Sequence, residues 1–525
     1  MKTKLRSLLA VSTLFYLPAL CDAQLSDVRT ETIRSAPEGF FNLLTFPTEP
    51  LPVARLIAEW DPAQALLVSI PVKEFLRDES MHRFYGEYLS LALRHTQVVI
   101  AYDVADTRYL TNFEETLLKH LENREASEGI RYAPTRSRSI WIRDNGPTFA
   151  FDERAELIVI DSIYRQLEGE IDAFSNSSID VDSKDLAYDL EAFVNFRQAG
   201  RNDDVTPLFL AKAIRQDLGV SCDTVRPPLH LQGGDFMTDG EGNVFVSEDT
   251  ILANGGRKRH VESILQQYFG AEEVHVLNAL PGATAKHLDL LLKPLSPRLM
   301  LYVEPPNASD TARVYSKRMS REVKAAQETN LSYLRKQFPD MELVSLPMPP
   351  IIEDNASYVV ASIRNQLIIV VCEQAGINYL RYHKLAKGSA ERESANRMIG
   401  KAITEAVGRP LDLGSRDDLD IACQAFLGSG LDALEHFHVS STTVYRSYAN
   451  SVILKTPEGE TVVFLPRYKA VEGESQADFD RYESEVEAAY RIGYPDAILY
   501  WVDCDAMVRR LGALHCLSMT IPAPL

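Results

Sequence analysis

The sequence is short of positive charge. Across 525 residues, 55 Lys and Arg stand against 74 Asp and Glu, for a formal net charge of -19. A nucleic-acid partner needs a basic face, so this balance argues against one. It suits a cationic ligand, because an acidic surface attracts cations at long range. Beyond the N-terminus no segment reads as a membrane-spanning helix, and no strict internal repeat is present. Cysteines are sparse: Cys21, Cys222, Cys372, Cys423, Cys504 and Cys516. No set of His, Cys and carboxylate residues stands at the spacing of a four-ligand metal site, so no metal is expected.

The N-terminus reads as an export leader. Lys2, Lys4 and Arg6 form a basic start, Ser7 to Leu20 an apolar run, and Cys21-Asp22-Ala23 a cleavage site with a small residue at each end. The run is too short to span a bilayer comfortably. A leader over 1–23 predicts an exported protein, periplasmic or extracellular. Its removal leaves an odd number of cysteines, so in an oxidising compartment at least one thiol stays unpaired.

Residues 24–55 carry Pro37, Pro47, Pro50 and Pro52 and read as an extended lead-in. Strands and helices then alternate. Strands are expected at 65–72, 97–104, 157–164, 244–246, 274–277, 299–303, 343–347, 451–455, 462–466 and 497–502. Helices are expected at 75–94, 112–126, 208–218, 258–269, 316–337 and 478–491. This alternation makes the class α/β and excludes an all-helical or all-β chain. Residues 351–440 stand apart, with an apolar strand expected at 366–372, a helix at 389–407 and the acidic turn Asp417-Asp418-Leu419-Asp420. They read as an inserted subdomain, in which a Cys372–Cys423 disulfide would suit export.

Four stretches carry chemistry-bearing residues. Trp141-Ile142-Arg143-Asp144-Asn145-Gly146-Pro147 places Asp144 at a strand-to-turn junction, facing either a pocket or a neighbouring ion partner. His230-Leu231-Gln232-Gly233-Gly234-Asp235-Phe236 has a double glycine that permits a sharp turn or close approach to a ligand. It lacks the Lys-Ser/Thr of a phosphate loop. In a strand, His287 and Asp289 would project to one side, as a functional or a buried structural pair. Cys516, in Gly512-Ala513-Leu514-His515-Cys516, is on its own most simply a buried core thiol.

Together these residues suit a guanidinium. That group is planar, cationic and rich in N–H donors, so carboxylates hold it through paired hydrogen bonds. Its resonance-stabilised carbon needs a strong nucleophile, which a thiolate supplies. Ammonia departure and water activation need a histidine.

The chain resembles the bacterial peptidylarginine deiminase and agmatine deiminase family of the guanidine-modifying pentein superfamily. The resemblance rests on the Trp141–Pro147 stretch, Gln232 to Phe236, His287-Leu288-Asp289, Tyr445-Arg446-Ser447-Tyr448-Ala449-Asn450-Ser451 and Gly512 to Ser518. Their order and rough spacing match over most of 60–525, apart from the insertion. It implies a five-bladed pseudosymmetric α/β propeller, with one catalytic domain over 56–525. It further implies Cys516 as nucleophile, His287 as general acid and base, and Asp144 and Asp289 as guanidinium clamps. Trp141, Gln232, Gly234 and Asn450 would line the substrate site, with no cofactor. Relatives that act on agmatine usually have Glu where this chain has Gln232, and Lys286 replaces a common small residue. With export, these departures point to peptidyl-arginine as substrate. Agmatine or free arginine stands second, then amidino transfer, then a non-catalytic binding protein.

Overall fold

Alternating apolar strands and amphipathic helices bury most surface when small sheets carry helices on one face. The computed structural model describes residues 48–524 apart from 124, 138, 165–201, 282–285, 307–313, 354–362, scattered positions between 365 and 388, 414, 428–429, 431–442 and 472. The leader and most of the lead-in fall outside the described residues. The chain forms two compact units, a larger one from 37–281, 285–351 and 444–525, and a smaller one that takes 352–443.

The larger unit holds five mixed sheets of three or four strands, which repeat one pattern: an antiparallel pair continued by a parallel strand. Leu292–Ser296 pairs antiparallel with Leu299–Glu304, which pairs parallel with Glu342–Pro347. Val452–Lys455, Thr461–Arg467 and Ile498–Asp503 do the same, as do Phe236–Thr238, Asn243–Ser247 and Glu273–Leu277. A fourth sheet joins Val53–Leu56, Thr148–Asp152, Leu157–Ile160 and Cys222–Val225. The fifth places Ala63–Ser69 between the parallel strand Gln97–Asp103 and the antiparallel strand Ser518–Pro522. Every sheet is open; none closes into a barrel among the described residues.

Helix ends follow local chemistry. A helix expected from 75 instead begins at Glu79, because the Asp78 carboxylate accepts from Ser80 N–H at 2.8 Å and caps that turn. Its Phe84, Tyr85, Tyr88 and Leu89 are buried at the spacing of one helical face. The helix Lys258–Phe269 stops at Gly270, whose φ of 67° is the left-handed cap that glycine adopts without strain.

The smaller unit departs from expectation. Leu367, Ile368 and Val370 to Cys372 are helical rather than extended. A short apolar run has no periodicity that separates a buried strand from a buried helix. This one is buried against the helices Ala390–Val407 and Arg416–Leu427 through Ile399, Ile403, Leu419 and Cys423. Cys372 and Cys423 are both buried and are not joined, so the expected disulfide is absent.

Candidate active site

Three short turns bring the sequence-distant residues together. Trp141 leads into the one-turn helix Ile142–Asn145, which carries Asp144 just before the strand Thr148–Asp152. His287 and Asp289 do not share a strand. His287 is extended and caps a 3-10 turn over Leu288–Leu290, and the strand starts only at Leu292. Cys516 sits in the one-turn helix Leu514–Leu517, which feeds the strand Ser518–Pro522. The residue two before this turn's cap, Leu511, has φ 77°, a strained value for a side chain of that size.

Asp144, His287, Asp289, Asn450 and Cys516 are all buried. The Cys516 thiol lies 3.8 Å from Asp289 Oδ2. Asn450 Nδ2 donates to that same oxygen at 3.1 Å and to Cys516 Sγ at 3.2 Å. His287 Nδ1 stands 3.5 Å from Asp144 Oδ1, an ion-pair distance without hydrogen-bond geometry. Asp144 Oδ1, Asp289 Oδ1 and His287 Nδ1 are buried with no protein hydrogen-bond partner. Such atoms carry a desolvation cost that a ligand rich in N–H donors would offset.

Two predicted pocket residues have other duties. Gln232 Oε1 accepts from His287 Nε2 at 2.7 Å, so it holds the imidazole. Gly234 makes room for it: a Cβ there would lie 3.0 Å from Asp144 Oδ1 and nearer still to His287 Nδ1. Trp141 is half-buried, with its ring edge over Gly512, where a Cβ would come within 2.8 Å of Trp141 Cη2.

Charge sets the protonation of these groups. Burial, then the Asp289 and Asp144 carboxylates, push the Cys516 thiol well above its ordinary range. Burial opposes charge on His287, yet Asp144, Asp289 and Asp235 outweigh it and raise that imidazole. Burial raises Asp144. Asp289 is also penalised by burial, but the hydrogen bond and charge of His515, with His287 and Arg143, lower it. These shifts favour the imidazolium at His287, the neutral thiol at Cys516 and the carboxylate at Asp289.

Sequence reasoning gave no role to Glu59, Arg143, Asp235, Lys293 or His515. His515 Nδ1 is 2.7 Å from Asp289 Oδ2, and its Nε2 is 3.2 Å from Glu59 Oε2. Lys293 Nζ donates to both Glu59 oxygens, at 2.7 and 2.6 Å. Arg143 Nε reaches His515 O at 3.3 Å. Asp235 accepts from Ser247 and Thr250, and burial pushes it up to about 6. One signal was present: Lys293 interrupts the apolar run Leu290 to Leu295, and a lysine buried in a strand needs a carboxylate. A cavity of about 90 Å³ is lined by Glu59, Arg143, Lys293 and His515, but not by Cys516, His287, Asp144 or Asp289. Convergence of side chains, not that void, marks the reactive centre.

Comparison with known proteins points to a family and a fold. Residues 55–522 match the family described as Porphyromonas-type peptidyl-arginine deiminase. Curated relatives bearing the agmatine deiminase name include one from Vibrio parahaemolyticus, 26% identical over 40% of this chain and 50% of its own length. Another, from Latilactobacillus sakei, is 22% identical over 49% of this chain and 63% of its own. The matched region thus spans about half to two-thirds of those relatives. Among solved structures, the agmatine deiminase of Enterococcus faecalis superposes with a TM-score of 0.52 at 16% identity, covering 91% of this chain and 100% of that one. The agmatine deiminase of C. jejuni gives 0.51 at 14%, covering 90% and 97%. At these identities the likeness establishes the fold, an α/β arrangement of mixed sheets shared with pentein deiminases. The match over residues 55–522 establishes more: the chain belongs to the Porphyromonas-type peptidyl-arginine deiminase family.

Proposed function

We propose that the protein is a guanidine deiminase, a hydrolase that converts a guanidinium into a ureido group and ammonia. One observation carries this reading. Two buried carboxylates, Asp144 and Asp289, each keep an oxygen without a protein partner beside the Cys516 thiol and the His287 imidazole. A guanidinium offers N–H donors to both oxygens.

In this reading the arriving cation offsets Asp144 and Asp289, whose charges hold the thiol protonated, and the thiol loses its proton to solvent. Cys516 sulfur adds to the guanidinium carbon. The His287 imidazolium gives its proton to the departing amine, which leaves as ammonia, and a covalent S-alkylthiouronium remains. Neutral His287 then takes a proton from water as it adds to that carbon. Collapse breaks the C–S bond, the hydroxyl proton passes to the departing sulfur, and the ureido product leaves a restored thiol. No step calls on a metal or an organic cofactor.

For substrate we favour a small guanidine of the agmatine type. The named relatives support it. The sequence argument against it came from Gln232, but that side chain bonds His287 and bears on the base rather than on the substrate's far end. The second reading is arginine within peptides, which the family description and the export leader favour. We further read the five mixed sheets of the larger unit as blades of one pseudosymmetric propeller, and 352–443 as an insertion into a catalytic domain over 56–525. An endpoint assay of ammonia and ureido product decides the substrate, comparing agmatine, free arginine, a blocked internal-arginine peptide and a C-terminal-arginine peptide. Full ammonia release by Cys516→Ala on the preferred substrate would overturn the mechanism.

A further inference from the structure

We infer that His515 is a positioning residue: clamped between Glu59 and Asp289, it fixes the Asp289 carboxylate with Oδ2 occupied and Oδ1 left for the guanidinium. This rests on the reading of Asp289 as a clamp.

His515 and Cys516 are consecutive residues of one helical turn, so their side chains diverge. Both nevertheless reach Asp289 Oδ2, the imidazole Nδ1 at 2.7 Å and the thiol at 3.8 Å. Asn450 Nδ2 adds a third donor to Oδ2 at 3.1 Å, while Oδ1 receives none. The two oxygens are thus divided: one faces the protein, one stays free. The other ring nitrogen of His515 faces a second carboxylate, Glu59, at 3.2 Å.

Glu59 is itself pinned. It accepts from Lys293 on both oxygens and from the Ile453 backbone N–H at 2.9 Å. Lys293 spends a further donor on Ser451 O at 2.7 Å. The segment that follows Asn450 therefore fixes Glu59, Glu59 fixes His515, and His515 with Asn450 fixes Asp289. Asn450 Oδ1 closes the loop by accepting from His515 N–H at 3.1 Å. His515, Lys293 and Asp289 are 5%, 1% and 1% exposed, so water competes little for these bonds.

Asp289 stands among groups of both signs. The charged and titratable groups facing it are His515 and Cys516 from the terminal turn, Asp144 and Arg143 from the helix Ile142–Asn145, His287 from its own segment and Lys293 from the next strand. Asp144 and a Cys516 thiolate both repel its charge. His515 is the ring that touches it, through Nδ1 at 2.7 Å.

The test measures binding of butylguanidine, a guanidine with no second charge, to the full chain across pH 4 to 8. It compares wild type, His515→Gln, Glu59→Gln and the double variant. His515→Gln should weaken binding about tenfold or more and move the acidic limb of affinity upward by about one pH unit, because Asp289 without the His515 hydrogen bond takes up a proton sooner as pH falls. Glu59→Gln should move the same limb less, and the double variant should be no worse than His515→Gln, since both act through one contact. With a substrate, the loss should fall mainly on KM. If His515→Gln does not fold, Glu59→Gln carries the test alone. Affinities within threefold of wild type, with an unmoved limb, overturn the proposal but leave the deiminase reading. Failure of the wild-type protein to bind butylguanidine removes that reading and this proposal with it.

Discussion

Gln232 Oε1 lies 2.7 Å from His287 Nε2, which makes the residue before the paired glycines a holder of the base. A neutral amide there orients the ring without adding charge. Gln232→Glu would place a carboxylate at that distance and favour the imidazolium. In the proposed mechanism His287 gives its proton to departing ammonia, so the alkaline limb of kcat should move up by about one pH unit. A pH–rate profile of the variant checks this; an unmoved limb would detach Gln232 from the chemistry.

Gly234 should tolerate no side chain. A Cβ would overlap the His287 ring and approach Asp144 Oδ1 at 3.0 Å. Gly234→Ala should lower kcat/KM by about a hundredfold or more, as expected when a reacting group is displaced by about 1 Å. Circular dichroism should show the fold retained. The comparison is Gly459→Ala, where no neighbour stands within 4 Å but φ is 94°, so backbone strain alone is measured.

The empty site holds Cys516 as a thiol, through burial and two carboxylates. A cationic haloacetamidine should therefore alkylate Cys516 faster than a neutral haloacetamide, by about tenfold or more once their intrinsic reactivities are divided out. Asp144→Asn should shrink that preference. Peptide mass spectrometry against the buried Cys222, Cys372, Cys423 and Cys504 reads the outcome. Equal rates for the two reagents would show that the carboxylates do not govern the thiol.

Asp235 gives a stability signature. Burial pushes it up to about 6 in the folded chain, against about 3.9 unfolded. The folded chain holds this proton to higher pH than the unfolded one. Its contribution is therefore complete below about pH 4 and is lost as pH rises through 6, amounting to about 3 kcal/mol. Asp235→Asn cannot titrate, so the difference in unfolding free energy between variant and wild type should change across pH 4 to 7. Parallel denaturation curves at all pH values would refute it.

The residues that converge at the candidate site were legible because each sits in a short, distinctive stretch: Asp144 after Trp141, His287 two before Asp289, Cys516 after Gly512. The strand and helix order of the larger unit was legible from periodicity. What supports the reactive residues was not. Glu59 and Lys293 are ordinary charged residues in sequence, and only folding places them 2.6 Å apart beside His515, with Lys293 buried and Glu59 partly so. Reading His287 and Asp289 as a strand pair failed because a two-residue spacing fits a 3-10 turn as well. Residues 367–372 failed for a related reason: an unbroken apolar run is buried in either conformation.

The turn that carries Cys516 runs straight into Ser518–Pro522, an edge strand whose partner, with Ser518 opposite Val68, lies about 450 residues earlier. Edge strands open before the sheet that carries them, and pairing across so long a stretch is regained slowly once lost. Release of that one strand frees Cys516 from Asp289 and Asn450 while the remaining sheets stand. In a urea titration, catalysis should fail before the far-ultraviolet signal does, and a guanidine held at the site should draw the two transitions together.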